Sequence, residues 1–480
     1  VHLKPLEHRS RLTRIRACLG IAIASTTVQI FLKFKGAIMP IVIYGTAGRD
    51  IIPGTNAADE IWGRAGNDIL AGGAGNDWLI GGAGSDSLSG GAGIDGVSYA
   101  QSKAGVNVTL GGSASGGDAT GDILFDDIEK LTGSANNDRL TGNAQNNSIY
   151  AGDGNDLVSG ADGDDRVFGD AGTDTVLGGS GNDSVVGDSG NDKVYGEDGN
   201  DWLDGGPGSD FISGGAGNDT VSYYDNASIG VSVDLTNGIG SAGDAQGDRY
   251  ESVESVDGTN YSDVLIGNSA ANTLRGGSDI DILRGGAGAD VLDGGDGFDM
   301  SSYADSTSGV TVNLGTGKAT GGTATGDILV SIEAITGSAY ADAIAGSIVT
   351  DFLDGGAGND ALRGSGGGDW LTGGSGADRF VVGAARESIP GSADWITDFS
   401  HTQGDRIDVS QIDANGNGIA GNGAFTFIGT DAYTGMAGQL RYVLSGSYIL
   451  IAGDVDGDKV SDLNIKLSNV GSIQASDFML

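Results

Sequence analysis

The sequence predicts an all-β protein: parallel β-roll (β-solenoid) arrays stacked in tandem, with β-rich connectors between them and a β-rich C-terminal cap. Three observations carry that prediction. A nine-residue phrase recurs in fixed phase, as in GGAGNDWLIGGAGSDSLSGGAGIDGVS from Gly72 onward. Its eighth position is aliphatic and its sixth is acidic. Glycine fills its turn positions, 91 of 480 residues against 5 prolines.

Numbering each phrase from its first Gly, starts fall every nine residues from 45 to 90, 133 to 214, 258 to 294 and 337 to 373, which makes 26 phrases. Position 6 is Asp in 24 of them, the exceptions being Asn147 and Asn272, and position 8 is Ile, Leu, Val or Phe in all but Ser301. So much glycine would ordinarily suggest disorder. Two positions held in phase through 26 phrases argue for a repeating fold instead. Positions 7 to 9 then form a short strand whose position 8 faces inward, and positions 1 to 6 form the turn. A single such strand buries nothing. Two phrases make one coil of 18 residues, and stacked coils bury a continuous aliphatic seam.

Stacking also aligns the position-6 carboxylates. Unpaired, such a column repels itself. Glycine turns let carbonyl oxygens converge on the same point, and the resulting all-oxygen cage suits Ca²⁺, which takes six to eight oxygen ligands. The phrases contain no His or Cys for Zn²⁺, and Mg²⁺ is stricter in geometry and slower to shed water. The expected calcium ligands are Asp68, Asp77, Asp86 and Asp95; Asp156, Asp165, Asp174, Asp183, Asp192, Asp201, Asp210 and Asp219; Asp281, Asp290 and Asp299; and Asp360, Asp369 and Asp378. Asp50 and Asp59 are set aside because their phrases lack the double glycine. The phrase, G-G-x-G-x-D-x-U-x, resembles the haemolysin-type RTX repeat. That resemblance implies multiple bound calcium ions.

The expected organisation runs as follows. Residues 1–38 are a basic N-terminal extension outside the mature fold, with seven Lys or Arg and one acid. The expected start is Met39, where composition changes abruptly; a signal peptide cleaved after Ala24 and a weak anchor are the alternatives. Array 1 covers 39–98, array 2 133–222, array 3 258–302 and array 4 337–381. Connectors fill 99–132, 223–257 and 303–336, and the cap is 382–480. The connectors resemble one another. Each passes from Ser-Tyr (Tyr99, Tyr223, Tyr303) through an alternating strand (Val106–Leu110, Val231–Leu235, Val310–Leu314) to Gly-Asp (Asp122, Asp248, Asp327). Each closes on an acid, Glu129, Glu254 or Glu333. They read as insertions that keep the stack going, with the tyrosines packed inside rather than lining a glycan groove.

Beyond Arg379 the phase stops. Asp394–Phe399, Gly404–Ser410, Ala424–Gly429 and Leu440–Tyr442 are similar to the C-terminal domain of serralysin-family metalloproteases, over roughly 373–480. The terminus Asp477-Phe478-Met479-Leu480 is similar to that family's last residues. The resemblance implies a cap on the roll and an uncleaved tail read by a type I secretion apparatus, hence a secreted, extracellular bacterial protein. The loop from Asp454 to Asp462 resembles the start of an EF-hand but has Gly at its fourth position and no Glu at its twelfth. It is a further candidate calcium site.

The sequence carries no H-E-x-x-H, since His2, His8 and His401 are the only histidines. It shows no nucleophile elbow and no separate catalytic domain. A formal charge of -40 disfavours nucleic acid and anionic membrane as partners, and the lone Cys18 excludes a disulfide framework. No integral membrane span is expected. The expectation is a non-catalytic, calcium-folded surface, matrix or adhesion component, possible partners being extracellular polysaccharide or a cell surface. A carbohydrate-active enzyme and a cytolysin-like toxin are the alternatives.

Overall fold

The computed structural model describes residues 29–31, 41–224, 227–415, 423–468 and 470–480. The chain divides into two compact units, 1–201 and 202–480. Among the described residues the regular elements are strands of two to seven residues and short 3₁₀ turns. The expected Met39 start and almost all of the basic extension lie outside the described residues; within it, Gln29–Phe31 pairs antiparallel with Ile41–Tyr44.

In the first unit two parallel ladders face each other. One aligns Ile43, Ile61, Leu79, Val97, Leu131, Ile149, Val167 and Val185. The opposite ladder aligns Ile52, Leu70, Leu88 and Leu124. It resumes with Val108, Leu140, Val158, Val176 and Val194. Within an array, partners are 18 residues apart, as in Ile61 with Leu79. Every position-8 side chain here is at most 3 % exposed, so each strand contributes one fully buried aliphatic group, worth roughly 1.5–3 kcal/mol. Coils pack so closely at the turns that at Gly84, with φ 148°, an added Cβ would lie 1.6 Å from the Gly66 carbonyl oxygen. Only glycine fits there.

The connector at 99–132 keeps one ladder in step, because Lys130–Thr132 pairs with both Gly96–Ser98 and Ser148–Tyr150. On the other ladder it adds a meander. Ile123–Leu124 closes on Ser87–Ala92; residues 113 and 115 bridge antiparallel to Ile123 and Asn107; Asn107–Thr109 then starts afresh against Arg139–Thr141. The stack continues, as expected, and the hairpin is the part the alternation did not reveal.

The second unit repeats the device twice. Ile239–Ala242 runs antiparallel between Ser232–Asp234 and Arg249–Glu251, and Lys318–Thr320 does the same between Thr311–Asn313 and Ile328–Val330. The first meander lies on the ladder of Ile212 and Tyr250, the second on the ladder of Leu274, Leu292 and Leu329. Five phrases, an odd number, separate them, so the insertion changes face. In the cap, Gln439–Ser445, Tyr448–Asp454 and Leu463–Ser468 form an antiparallel meander that joins Asp394–Ile396 in parallel. The terminal Phe478–Met479 completes the opposite ladder against Arg406–Asp408.

Candidate metal centre

Each turn places its position-6 side chain at the corner where the chain enters the strand, pointing inward along the stack. The outcome is a hydrogen-bonded column. The amide of each acid donates to Oδ1 of the acid one coil ahead: Asp50 to Asp68, Asp68 to Asp86, Asp59 to Asp77 and Asp77 to Asp95, all at 2.7 Å. The same link joins Asp138 to Asp156 to Asp174, and Asn147 to Asp165 to Asp183. In the second unit it joins Asp263 to Asp281 to Asp299, Asp342 to Asp360 to Asp378, and Asp351 to Asp369.

The other carboxylate oxygen has a different fate. All eighteen predicted ligands are buried, at most 4 % exposed. In fourteen of them Oδ2 is fully buried with no hydrogen-bond donor: Asp68, Asp77, Asp86, Asp95, Asp156, Asp165, Asp174, Asp183, Asp281, Asp290, Asp299, Asp360, Asp369 and Asp378. Asp192, Asp201, Asp210 and Asp219 share the same buried register. A buried acceptor with no partner costs about 1–3 kcal/mol, more when charged. One such atom would be an isolated defect; here the same atom recurs coil after coil in register. Burial, reinforced by neighbouring acids, raises Asp68 and Asp77 to about 6 and Asp156, Asp281 and Asp360 to about 7. The surroundings supply further oxygen. A Cβ placed on Gly72 would fall 2.4 Å from Asp77 Oδ2 and 2.5 Å from the Gly90 carbonyl oxygen, so these two donors converge on the space glycine leaves. An all-oxygen, anionic, semi-buried donor set fits Ca²⁺.

The connectors finish the columns, a role the sequence reading missed. Asp86, Asp210 and Asp290 donate their amides to Oδ1 of Asp122, Asp248 and Asp327. There the second oxygen is satisfied: Tyr99, Tyr223 and Tyr303 donate their hydroxyls to it at 3.0, 2.7 and 3.1 Å. Those tyrosines are 2 % exposed, packed inside as expected. The companion columns end on Glu129, Glu254 and Glu333, which accept from Asp95, Asp219 and Asp299. The recurrent Tyr, Gly-Asp and Glu of the connectors were the signal.

In the cap, Asp454, Asp456 and Asp462 bring carboxylate oxygens within 4.8 Å of one another. Asp454 is fully buried, and both its oxygens already accept backbone N–H groups, from Gly457 and Lys459.

Comparison with known proteins agrees with this geometry. The RTX calcium-binding nonapeptide repeat (4 copies) matches residues 44–79, 62–97, 132–167, 151–185, 159–194 and 186–221. The peptidase M10 serralysin C-terminal family matches residues 224–480, more than half of the chain. The chain belongs to the RTX proteins that end in a serralysin-type C-terminal domain. The latter match begins well before residue 373, so it takes in the third and fourth arrays as well as the cap. The repeats of this RTX protein bind several calcium ions, and the two families together mark it as a secreted protein. Among solved structures it is similar to the AlgE6R3 subunit of the Azotobacter vinelandii mannuronan C5-epimerase, at 26 % identity, 30 % of this chain, 76 % of that one and a TM-score of 0.23. It is also similar to the extracellular lipase LipA of Serratia marcescens, at 14 % identity, 65 % of this chain, 40 % of that one and a TM-score of 0.15. No curated protein matches it. Among the described residues no helix is long and apolar enough to cross a membrane.

Proposed function

We propose that this RTX protein is a non-catalytic extracellular scaffold whose arrays fold when calcium outside the cell reaches the aspartate columns, and that it serves at a cell surface or in a matrix. The observation that carries this reading is the column of buried, donor-less Oδ2 atoms. The eighteen predicted aspartates would hold the ions, with turn carbonyls such as that of Gly90. Bound calcium supplies the positive charge that lets those carboxylates stay ionised while buried. Where calcium is scarce, as inside the cell, the acidic columns repel and the glycine-rich chain stays open, which suits passage through an export channel. At a tenfold excess over Kd each site adds about 1.4 kcal/mol to the folded state. A dozen coupled sites would add on the order of 17 kcal/mol, enough to decide whether the arrays fold.

A groove supports the surface role. It lies on the outer side of the first unit's longer ladder, has a volume of about 570 Å³ and is lined by Trp62, Trp78, Ser98, Gln101 and Thr132. Gly96 leaves the room that the Trp78 ring occupies, since a Cβ there would meet the ring at 2.8 Å. Indole faces beside amide and hydroxyl groups suit a sugar chain, and the protein's negative charge favours a neutral one.

Circular dichroism and hydrogen exchange of the full chain, in calcium and in EDTA, test the fold switch. Strand content should fall in EDTA and the turns that carry the eighteen aspartates should lose protection; equal values in both would overturn it. A glycan array probed with the calcium-loaded chain, and with Trp62→Ala, tests the surface role. Turbidity loss on a polysaccharide would point to an enzyme, and liposome leakage to a toxin.

A further inference from the structure

The 26 turns fall into two classes, and the backbone at position 2 separates them. In the eighteen phrases that carry the predicted calcium ligands, position 2 is left-handed, with φ from 63° at Asp188 to 122° at Gly179. Glycine is not the cause. Arg64, Ala161, Asp170, Asp188, Glu197 and Ser365 adopt the same hand, at φ 63° to 86°, against their own steric preference. The hand follows the class of turn.

The other eight phrases are the first two of each array, one full coil apiece. None of their position-2 residues is left-handed. Here the position-2 amide points at the position-6 side chain and, where that is an aspartate, satisfies the Oδ2 that is bare in the fourteen aspartates named above. In the first unit Thr46, Thr55 and Ser134 donate to Oδ2 of Asp50, Asp59 and Asp138 at 2.5 to 2.6 Å, and Asn143 donates to Oδ1 of Asn147 at 2.7 Å. In the second, Thr259, Ser338 and Ser347 donate to Oδ2 of Asp263, Asp342 and Asp351 at 2.5 to 2.6 Å, and Asn268 to Oδ1 of Asn272 at 2.7 Å. The position-2 side chain closes the turn from its other side by accepting the amide of position 4. This contact is 3.2 Å at Thr46, 2.9 Å at Thr259, 2.8 Å at Asn268 and 3.0 Å at Ser338. Apart from Asp59 Oδ1, which is buried without a donor at the head of the first array, none of the carboxylate oxygens in these turns is both buried and without a donor. Asn147 and Asn272, the two phrases without an acid, both fall among these turns.

We propose that the backbone hand at position 2, which differs between the first coil and later ones, decides whether a turn takes calcium, and that each array opens with one ion-free coil that stands folded with its preceding segment and templates the calcium-dependent coils behind it. Thr, Ser or Asn at position 2, with an amide turned inward, makes a starter turn; a left-handed position 2 turns that amide away and leaves Oδ2 for the ion. The starter coils of the second to fourth arrays are anchored upstream without ions too, since Val106, Val231 and Val310 donate their amides to Oδ1 of Asp138, Asp263 and Asp342 at 2.6 Å. The inference rests on the calcium-fold reading above and adds where folding starts.

Hydrogen exchange on the full chain tests it, with calcium as the only ligand. In EDTA, amides of 303–354 should exchange at least tenfold more slowly than those of 355–378 in the same array. In the double variant Ser338→Gly, Ser347→Gly that difference should vanish in EDTA while calcium restores both regions. Ser338→Thr with Ser347→Thr should keep it. If both regions of the wild type lose protection together in EDTA, or if the glycine variant keeps the tenfold difference, the starter-coil proposal is wrong although calcium-driven folding stands. If neither region loses protection in EDTA, the calcium-fold reading itself fails.

Discussion

Replacing Gly84 and Gly48 by alanine, one at a time, should give opposite results, although both stand at position 4 of a phrase. At Gly48 nothing described lies within 4 Å of the new methyl, and the backbone is not left-handed. At Gly84, φ is 148° and the methyl would sit 1.6 Å from the carbonyl oxygen of Gly66 and 2.6 Å from its carbon. Bringing that approach out to about 3.3 Å, an ordinary C···O separation, means opening the coils by about 1.7 Å. Two hydrogen bonds nearby cannot follow: Gly66 N–H to the Ala83 carbonyl at 2.9 Å, and Ser85 N–H to Asn67 Oδ1 at 3.2 Å. Their loss costs about 1 kcal/mol each. An alanine in a backbone conformation proper to glycine costs about 1–2 kcal/mol more. The sum, about 3–4 kcal/mol, is a 100- to 1,000-fold change in local opening. Hydrogen exchange across residues 63–92 in saturating calcium should therefore accelerate by that factor in Gly84→Ala and stay within threefold of wild type in Gly48→Ala. Equal acceleration in both variants, or none in Gly84→Ala, would refute the idea that the close approach of turn backbones, carbonyl against glycine, sets the coil spacing.

Three further outcomes follow from the columns and the seam. Asp68, Asp77 and Asp156 titrate near 6 to 7 in the folded chain and near 3.8 when unfolded, so the folded form holds more protons between those values. The calcium-free fold should lose stability as pH rises from about 4 through 7, whereas the calcium concentration needed for folding should rise as pH falls below about 6; dichroism-monitored titrations at pH 5 and 7.5 read both trends, and a pH-independent midpoint would contradict them. Tyr99→Phe should cost about 1–3 kcal/mol, because it strips the donor from a carboxylate oxygen of fully buried Asp122; Tyr150→Phe, at an exposed position, is the control, and thermal unfolding in calcium compares them. Leu274→Ala, in the fully buried seam, should cost about 2–5 kcal/mol, while Arg275→Ala, which breaks only an exposed ion pair with Asp257, should cost under about 1 kcal/mol in denaturant melts.

The repeat made most of this protein legible. Position 8 announced the seam and position 6 the columns because each repeats its own environment: a position held in phase through 26 phrases reports its place in the coil each time. Even Ser301, the outlier, is fully buried in register. What stayed hidden depends on partners that no phase announces. The hairpin through residues 113 to 115, like its two counterparts in the second unit, lies outside the nine-residue phase, and its strand pairing is fixed by the ladder it lands on. Glu129 lies 34 residues from the amide it accepts, and Asp122 lies 36 from its own. The hand of position 2 is hidden for a related reason: Ser134 and Ser365 are the same residue, yet only Ser365 is left-handed. Placement in the array, first coil or later, separates them.

An array of this kind has two unlike ends, and that asymmetry explains why the connectors resemble one another. At the leading end the acid's Oδ1 needs an amide, because no earlier coil supplies one; at the trailing end the last amide needs a carboxylate, because no later coil does. Connector 99–132 answers both demands. Asp122 and Glu129 accept the last amides of the first array, and Val106 donates to Asp138 at the head of the second. The segments at 223–257 and 303–336 do the same with Asp248, Glu254 and Val231, and with Asp327, Glu333 and Val310. Cutting a connector out would therefore leave both neighbouring arrays with unsatisfied buried ends. Removing one whole coil from an array's middle, such as residues 160–177, would join columns in register and leave every end intact. The physical unit of variation is thus the 18-residue coil, and the connector is the unit that cannot be shortened.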